Sequence, residues 1–140
     1  MTYGFYKSQH GTFKYWLAHV FAFNMTALNL HVWKFKYLFH DWYKPWLMLI
    51  WKDYKKVKKF HREHSNHHLE YRKVHEWDDW EKKIDWVAMA IDWECSRFTK
   101  QEAQLSARQE ARYILNTDNP YSQAVLTYLI PILDRLGLQK

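Results

Sequence analysis

Glycine and proline are scarce in this sequence, with three of each in 140 residues, against average usage of about 7% and 5%. So few turn residues cannot supply the tight hairpins an all-β domain needs, and helices are the expected class. Cysteine is nearly absent too. The one thiol, Cys95, cannot form an internal disulfide, which excludes a disulfide-stapled secreted scaffold and points to a reducing compartment. Its apolar helical surroundings make it an inert core thiol. Met1 to His10 lacks the basic-then-apolar order of a secretory leader, so a cytoplasmic location is expected. Tyr15 to Trp33 carries no formal charge, but it contains His19, Asn24, Asn29 and His31. It reads as a buried helix, and no membrane partner is expected.

With no repeat, linker or low-complexity tract, residues 1–140 are expected to form a single domain, an all-α bundle of five to six helices. Apolar residues recur at helical intervals from Phe13 to Phe39, which predicts one long or broken helix. Pro45 should open the next helix, from about Trp46 to Phe60. His61 to Tyr71 either continues it or starts another after Ser65 and Asn66. Trp77, Asp78 and Asp79 introduce a helix whose core face is Ile84, Ala88, Ile91, Cys95 and Phe98. Thr99 and Glu102 have capping-box spacing, predicting a helix from Lys100 to Asn116. The last helix starts at Asn119-Pro120 and closes at Gly137. Helical spacing also places the tryptophans Trp33, Trp42, Trp46, Trp51, Trp77, Trp80, Trp86 and Trp93 mostly in or near the core.

The chemistry-bearing feature is histidine, with nine residues, six of them between His31 and His68. His40 and Asp41 are adjacent at an expected helix end, where an imidazole and a carboxylate can ligate side by side. His61, His64 and His68 recur at i, i+3 and i+7, with His67 one step around. Four imidazoles in eight residues are a ligand source for zinc, iron, manganese, nickel or cobalt. Asp92, beside a buried helical face, is the carboxylate that would complete the site, since an ionised carboxylate is costly to bury unless paired or metal-bound. Asp85, two turns earlier, is a supporting acceptor or further ligand. The histidines His10, His19 and His75 read as core or capping residues.

The order His31, His40-Asp41 with Lys44 three residues on, His64/His67/His68, then Asp92 in Ala90-Ile91-Asp92-Trp93-Glu94 resembles the HD superfamily of metal-dependent phosphohydrolases. His-Asp-x-x-Lys, a His-His pair and Ala-x-Asp are most similar to its cyclic-dinucleotide phosphodiesterase branch, although that branch's glycine-rich loop is absent. The interval from His31 to His40 is shorter than usual for the superfamily. His31 to Lys36, His40 to Lys44, His61 to Tyr71 and Ile91-Asp92-Trp93 also resemble an uncharacterised family of small helical proteins common in tailed phages and bacteria.

The HD resemblance implies an HD-domain-like bundle in which His31, His40, Asp41 and Asp92 hold one divalent transition metal, and His64, His67 or His68 a second. Asp41 and Lys44 would be the catalytic residues. The implied activity is hydrolysis of a nucleotide or related phosphoester in a bacterial or phage setting, with Lys44, Arg62 or Lys59 offering positive charge to phosphate. A competing expectation comes from the net charge of +6 and the lysines of Lys52 to Arg62: a non-catalytic module with a structural metal or histidine cluster, binding a nucleotide, nucleic acid or host protein. Oxidative chemistry at an iron pair is a third.

Overall fold

The computed structural model describes residues 13–74, 80–99 and 105–140. Every regular element among them is helical. Helix α1 (Phe13–Asn29) and helix α5 (Trp86–Thr99) form the central pair. Alanines make this possible: Ala22 and Ala27 of α1 face Ala88 of α5, so the backbones approach closely around Phe23, Ile91 and Cys95. Helices α2 (Lys44–Trp51) and α3 (Tyr54–His64) pack together beside α1. On the other side of α5, α6 (Ala107–Leu115) meets a continuous rod over 122–135, made of α7 (Ser122–Ala124), a π turn (Val125–Leu129) and α8 (Ile130–Arg135). A short turn, α4 (Trp80–Lys83), precedes α5.

Local chemistry explains where the helices start and stop. The long helix expected over Phe13 to Phe39 ends at Asn29, because His31 takes a left-handed conformation (φ 59). The His31 and Val32 amides then fold back onto the carbonyls of Leu28 and Ala27, a double closure that normally uses glycine. A 3-10 turn (Phe35–Phe39) follows and leads to Asp41, also left-handed (φ 53). The Pro45 expectation holds, with the proline in the first turn of α2.

The helix expected from Trp46 to Phe60 is two helices. Lys52 ends α2 in the left-handed region (φ 54), and the Asp53 carboxylate caps α3 by accepting from the amides of Lys55 and Lys56 at 3.1 and 3.4 Å. Helix α3 stops at His64, so His67 and His68 lie in the turn before a second 3-10 segment (Leu69–Val74). At the other end, Gly137 (φ 77) closes the last helix as expected.

Two further starts differ from expectation. Trp77, Asp78, Asp79 and Glu102 lie outside the described residues. Helix α5 is instead capped by Asp85, which accepts from the Ala88 amide at 3.0 Å. The capping box that opens α6 is Ser106 with Gln109, and Thr99 is the last residue of α5.

The larger core joins Met89, Ala90, Ala111, Val125, Leu129 and Leu133, all essentially inaccessible, with Trp80 and Trp86 at its edge. The other tryptophans divide: Trp51 and Trp93 are half-buried, while Trp33, Trp42 and Trp46 are exposed, contrary to the near-core reading. No helix among the described residues is long and apolar enough to cross a membrane.

Candidate metal centre

Seven polar side chains from five segments meet at the α1–α5 seam. His19 comes from the middle of α1, His40 and Asp41 from the turn before α2, His61 from α3, His67 and His68 from the turn after it, and Asp92 from α5. All but the half-buried His68 are buried. They form two donor sets, His19/His40/Asp41/Asp92 and His61/His67/His68, in each of which the candidate ligand atoms lie within 4.8 Å of one another.

In the first set, His19 Nε2 lies 2.9 Å from Asp92 Oδ1 and 3.2 Å from His40 Nε2. His40 Nε2 lies 3.3 Å from Asp41 Oδ2 and 3.4 Å from Asp92 Oδ1, and His19 Nε2 is 3.8 Å from Asp41 Oδ2. In the second, His61 Nε2 and His68 Nε2 are 3.0 Å apart. The sets meet through Asp41, whose other oxygen, Oδ1, lies 3.3 Å from His61 Nε2 and 3.4 Å from His67 Nε2.

These separations are informative. Donor atoms about 2.0–2.1 Å from a common ion lie about 2.9–3.4 Å from each other along an edge of its coordination shell. Two ring nitrogens as close as those of His61 and His68 need a proton or a cation between them, because their lone pairs repel. Moreover, Asp41 Oδ1 and His67 Nε2 are buried without a hydrogen-bond partner. A buried carboxylate oxygen in that state is costly, and a cation would remove the cost. The residues therefore fit a divalent metal on their donor chemistry, spacing and unsatisfied atoms.

Electrostatics act in the same direction. Burial alone would favour the neutral acid at Asp41, but its neighbours, His40 first and then Lys44, outweigh it and hold the carboxyl well below its ordinary range. Asp92 is likewise held low against its burial, chiefly by hydrogen bonds from His19 and His40. Burial pushes His61 and His68 well below the usual imidazole range, so both rings are neutral, as metal ligation requires. The rings are also aimed. Ser65 Oγ lies 2.8 Å from His67 Nδ1, and the Tyr43 hydroxyl hydrogen-bonds His61 Nδ1. When each Nδ1–H donates outward, the Nε2 lone pair faces the centre. Burial and Asp41 raise the Tyr43 phenol above its ordinary range, keeping it neutral.

The Asp41 backbone is strained for a residue with a Cβ, and two donors hold it in place. The Trp16 indole N–H donates to the Asp41 carbonyl at 2.9 Å, and the Lys44 amide does so at 3.0 Å. Phe23 stacks on His40 with ring centroids 3.8 Å apart.

Of the expected site residues, the structure brings together His40, Asp41, His67, His68 and Asp92, with Lys44 Nζ 3.5 Å from Asp41 Oδ2. It leaves two outside. His31 is exposed and serves as the left-handed stop of α1, so it is not in the donor set. His64 is exposed, its Nδ1 2.9 Å from the Phe60 carbonyl, because α3 turns that face outward. Asp85 caps α5 and pairs with Lys36 at 3.4 Å. His19, read as a core histidine, is buried as such but belongs to the first set, and His61 belongs to the second. The available signal for His19 was its register with Phe23, four residues on in the uncharged stretch Tyr15 to Trp33.

A cleft of about 250 Å³ opens onto the centre, reaching His19, Asp41, His61, His68 and Asp92. Lys44, Lys58 and Arg62 also line it. Comparisons with protein-family models, curated proteins and solved structures return no match for this chain.

Proposed function

We propose that this protein is a metal-dependent phosphohydrolase of the HD type, acting on a phosphoester with one or two divalent transition-metal ions. The observation that carries the reading is the division of Asp41 between two donor sets, one carboxylate oxygen toward each. His19, His40, Asp41 and Asp92 would hold one ion, and Asp41 with His61, His67 and His68 a second. A bound divalent ion supplies water of pKa lowered from about 15.7 toward 7 and neutralises developing negative charge on phosphoryl oxygens.

The protein's own residues have distinct tasks. Asp92 and Asp41 supply the negative charge that favours a dication over a monovalent ion. Neutral His61 and His68 offer lone pairs without competing protons. Lys44, half-buried at the cleft, donates to a phosphate oxygen as it now does toward Asp41, and Arg62 supplies a second cationic donor on the same wall. Trp16 and the Lys44 amide hold Asp41 in its strained conformation, so its two oxygens keep their aim.

Replacing His31 by His19 strengthens the HD comparison. The interval to His40 becomes 21 residues, longer than the His31 to His40 interval that was short for the superfamily. The competing reading, a closed structural metal in a binding module, is disfavoured by the cleft, which leaves the centre open on one side.

Elemental analysis and a phosphoester screen test the proposal together. One or two equivalents of transition metal, and hydrolysis that disappears in Asp41→Ala while helical circular dichroism persists, are expected. A protein that stays metal-free after reconstitution with manganese, iron, zinc, nickel and cobalt would sink it. Oxygen consumption by an iron-loaded sample, without hydrolysis, would move the assignment to oxidative chemistry.

A further inference from the structure

Beside the metal centre lies a second pocket of a different chemical character, which shares His19 with it. Between α1, α2 and α3 lies a pocket of about 370 Å³ walled largely by Phe13, Trp16, Pro45, Met48, Leu49 and Val57. This is within the range of small-molecule sites, about 300–1,000 Å³. It adjoins the polar cleft, since Tyr15, His19, Lys44 and Tyr54 line both. His19 thus faces the donor set on one side and this pocket on the other, and Lys44 stands at the junction.

We infer that the substrate is a phosphoester with an apolar organic body, an alkyl or carbocyclic aromatic group, which occupies the pocket while its phosphate sits at the junction beside Lys44. The inference rests on the phosphohydrolase reading and narrows it away from nucleotides. A nucleobase carries several hydrogen-bonding groups on its edge, and burying them unpartnered is costly. Among the described residues that line the pocket there is no carboxylate and no Asn, Gln, Ser or Thr side chain to read such an edge. The Trp16 indole N–H is already committed to the Asp41 carbonyl. What remains is hydrocarbon and aromatic surface, with the Tyr15 and Tyr54 hydroxyls and His19 on the side shared with the cleft and the Lys44 and Lys52 ammoniums to meet an anionic head. A hydrocarbon body gains from every methylene it removes from water and leaves no polar group unsatisfied.

The test uses alkylphosphonates, which mimic the phosphate head and are not hydrolysed. The full-length protein, metal-free and manganese-loaded, is titrated with ethyl, butyl, hexyl and octyl phosphonate and with adenosine monophosphate, and binding is followed by calorimetry. Affinity is expected to rise about threefold to fourfold per methylene until the pocket is full, and the nucleotide to bind no tighter than the ethyl compound. Met48→Lys should flatten the dependence on chain length. Leu49→Lys should do so as well, and because Leu49 is 66% exposed this substitution does not threaten folding. Leu126→Lys, at an exposed apolar position outside the pocket lining, should leave the slope unchanged.

Equal affinity from ethyl to octyl would overturn the inference, whether the pocket is filled by another part of the chain, by a second copy or by nothing. So would a nucleotide that outcompetes the octyl compound. Hydrolysis of phosphoesters without chain-length dependence would leave the phosphohydrolase standing and remove the apolar body. Chain-length dependence in a protein that takes up no metal would support the pocket and remove the hydrolase.

Discussion

The two sides of α5 are built on opposite principles. Toward α6 and the rod over 122–135, the interior is Met89, Ala90, Val125, Leu129 and Leu133, a packed apolar core. Toward α1, the apolar cluster is smaller, with three alanines among its seven buried residues, and beyond it the interior holds His19, His40, Asp41, His61 and Asp92, every one buried. Helix α2, next to that side, buries none of its residues, and Trp46, Leu49 and Ile50 stand exposed. The first side draws its stability from removing hydrocarbon from water. The second has traded apolar burial for a charge and imidazole cluster whose donor atoms could hold a cation. A protein that places its site in its interior accepts a weaker half there and needs a stronger half to hold the fold.

Four measurements would break or sharpen this comparison. The largest effect is expected on the apolar side: Leu133→Ala should cost about 2–5 kcal/mol in urea unfolding, and the same amount with or without metal. A cost that depended on metal would mean the two sides are not separate. Next, a transition metal at a hundred times its dissociation constant should stabilise the wild type by about 2.7 kcal/mol. Asp41→Asn should lose that gain, with metal affinity lower by more than about a hundredfold, the upper range for residues that merely orient ligands. If Asp41→Asn retained the metal shift, Asp41 would not join the two sets.

Third comes pH. Burial holds His61 and His68 below the usual imidazole range, so on acidification the unfolded chain takes up protons, from about pH 6.5 downward, that the folded chain refuses. Asp41 and Asp92, also held low, add the same sign below about pH 4. The urea midpoint of metal-free protein should therefore fall steadily between pH 7.5 and 5. Leu133→Ala should lower the whole curve without changing that slope, whereas a flat wild-type profile would contradict neutral buried imidazoles. The smallest effect is expected at His31. His31→Gly should leave metal content unchanged and stability equal or up to about 1 kcal/mol higher, since glycine relieves a left-handed residue. Loss of metal in this variant would return His31 to the ligand set.

Much of the architecture was legible beforehand, because it depends on local rules. Scarce glycine and proline, the stripe through Ile84, Ala88, Ile91 and Cys95, Pro45 in a first turn and Gly137 at a helix end all behave in the fold as their chemistry suggests. The misplacements are instructive. Lys52 and His31 adopt left-handed conformations that composition does not advertise, and the helical periodicity of the sequence runs past each of them. Asp53 and Ser106 are caps whose partners lie within three residues, and Thr99, seven residues before Ser106, has the same spacing to Glu102.

The site divides in the same way. His40-Asp41, the His67-His68 pair and Asp92 stood out from their neighbours as residue types that suit a metal. His19 could not be separated from a core histidine, nor His31 and His64 from ligands, because a helical histidine shows in its sequence spacing which face it occupies but not what that face meets.

The sequence by itself determined a helical chain with an unusual supply of imidazole, since helix propensity, turn residues and side-chain chemistry are properties of near neighbours. Only the tertiary structure decided which of those groups converge. His19 and His40 are separated by 21 residues and meet at 3.2 Å. That meeting depends on the close approach of α1 and α5 and on a left-handed turn held at Asp41, neither of which any local pattern records.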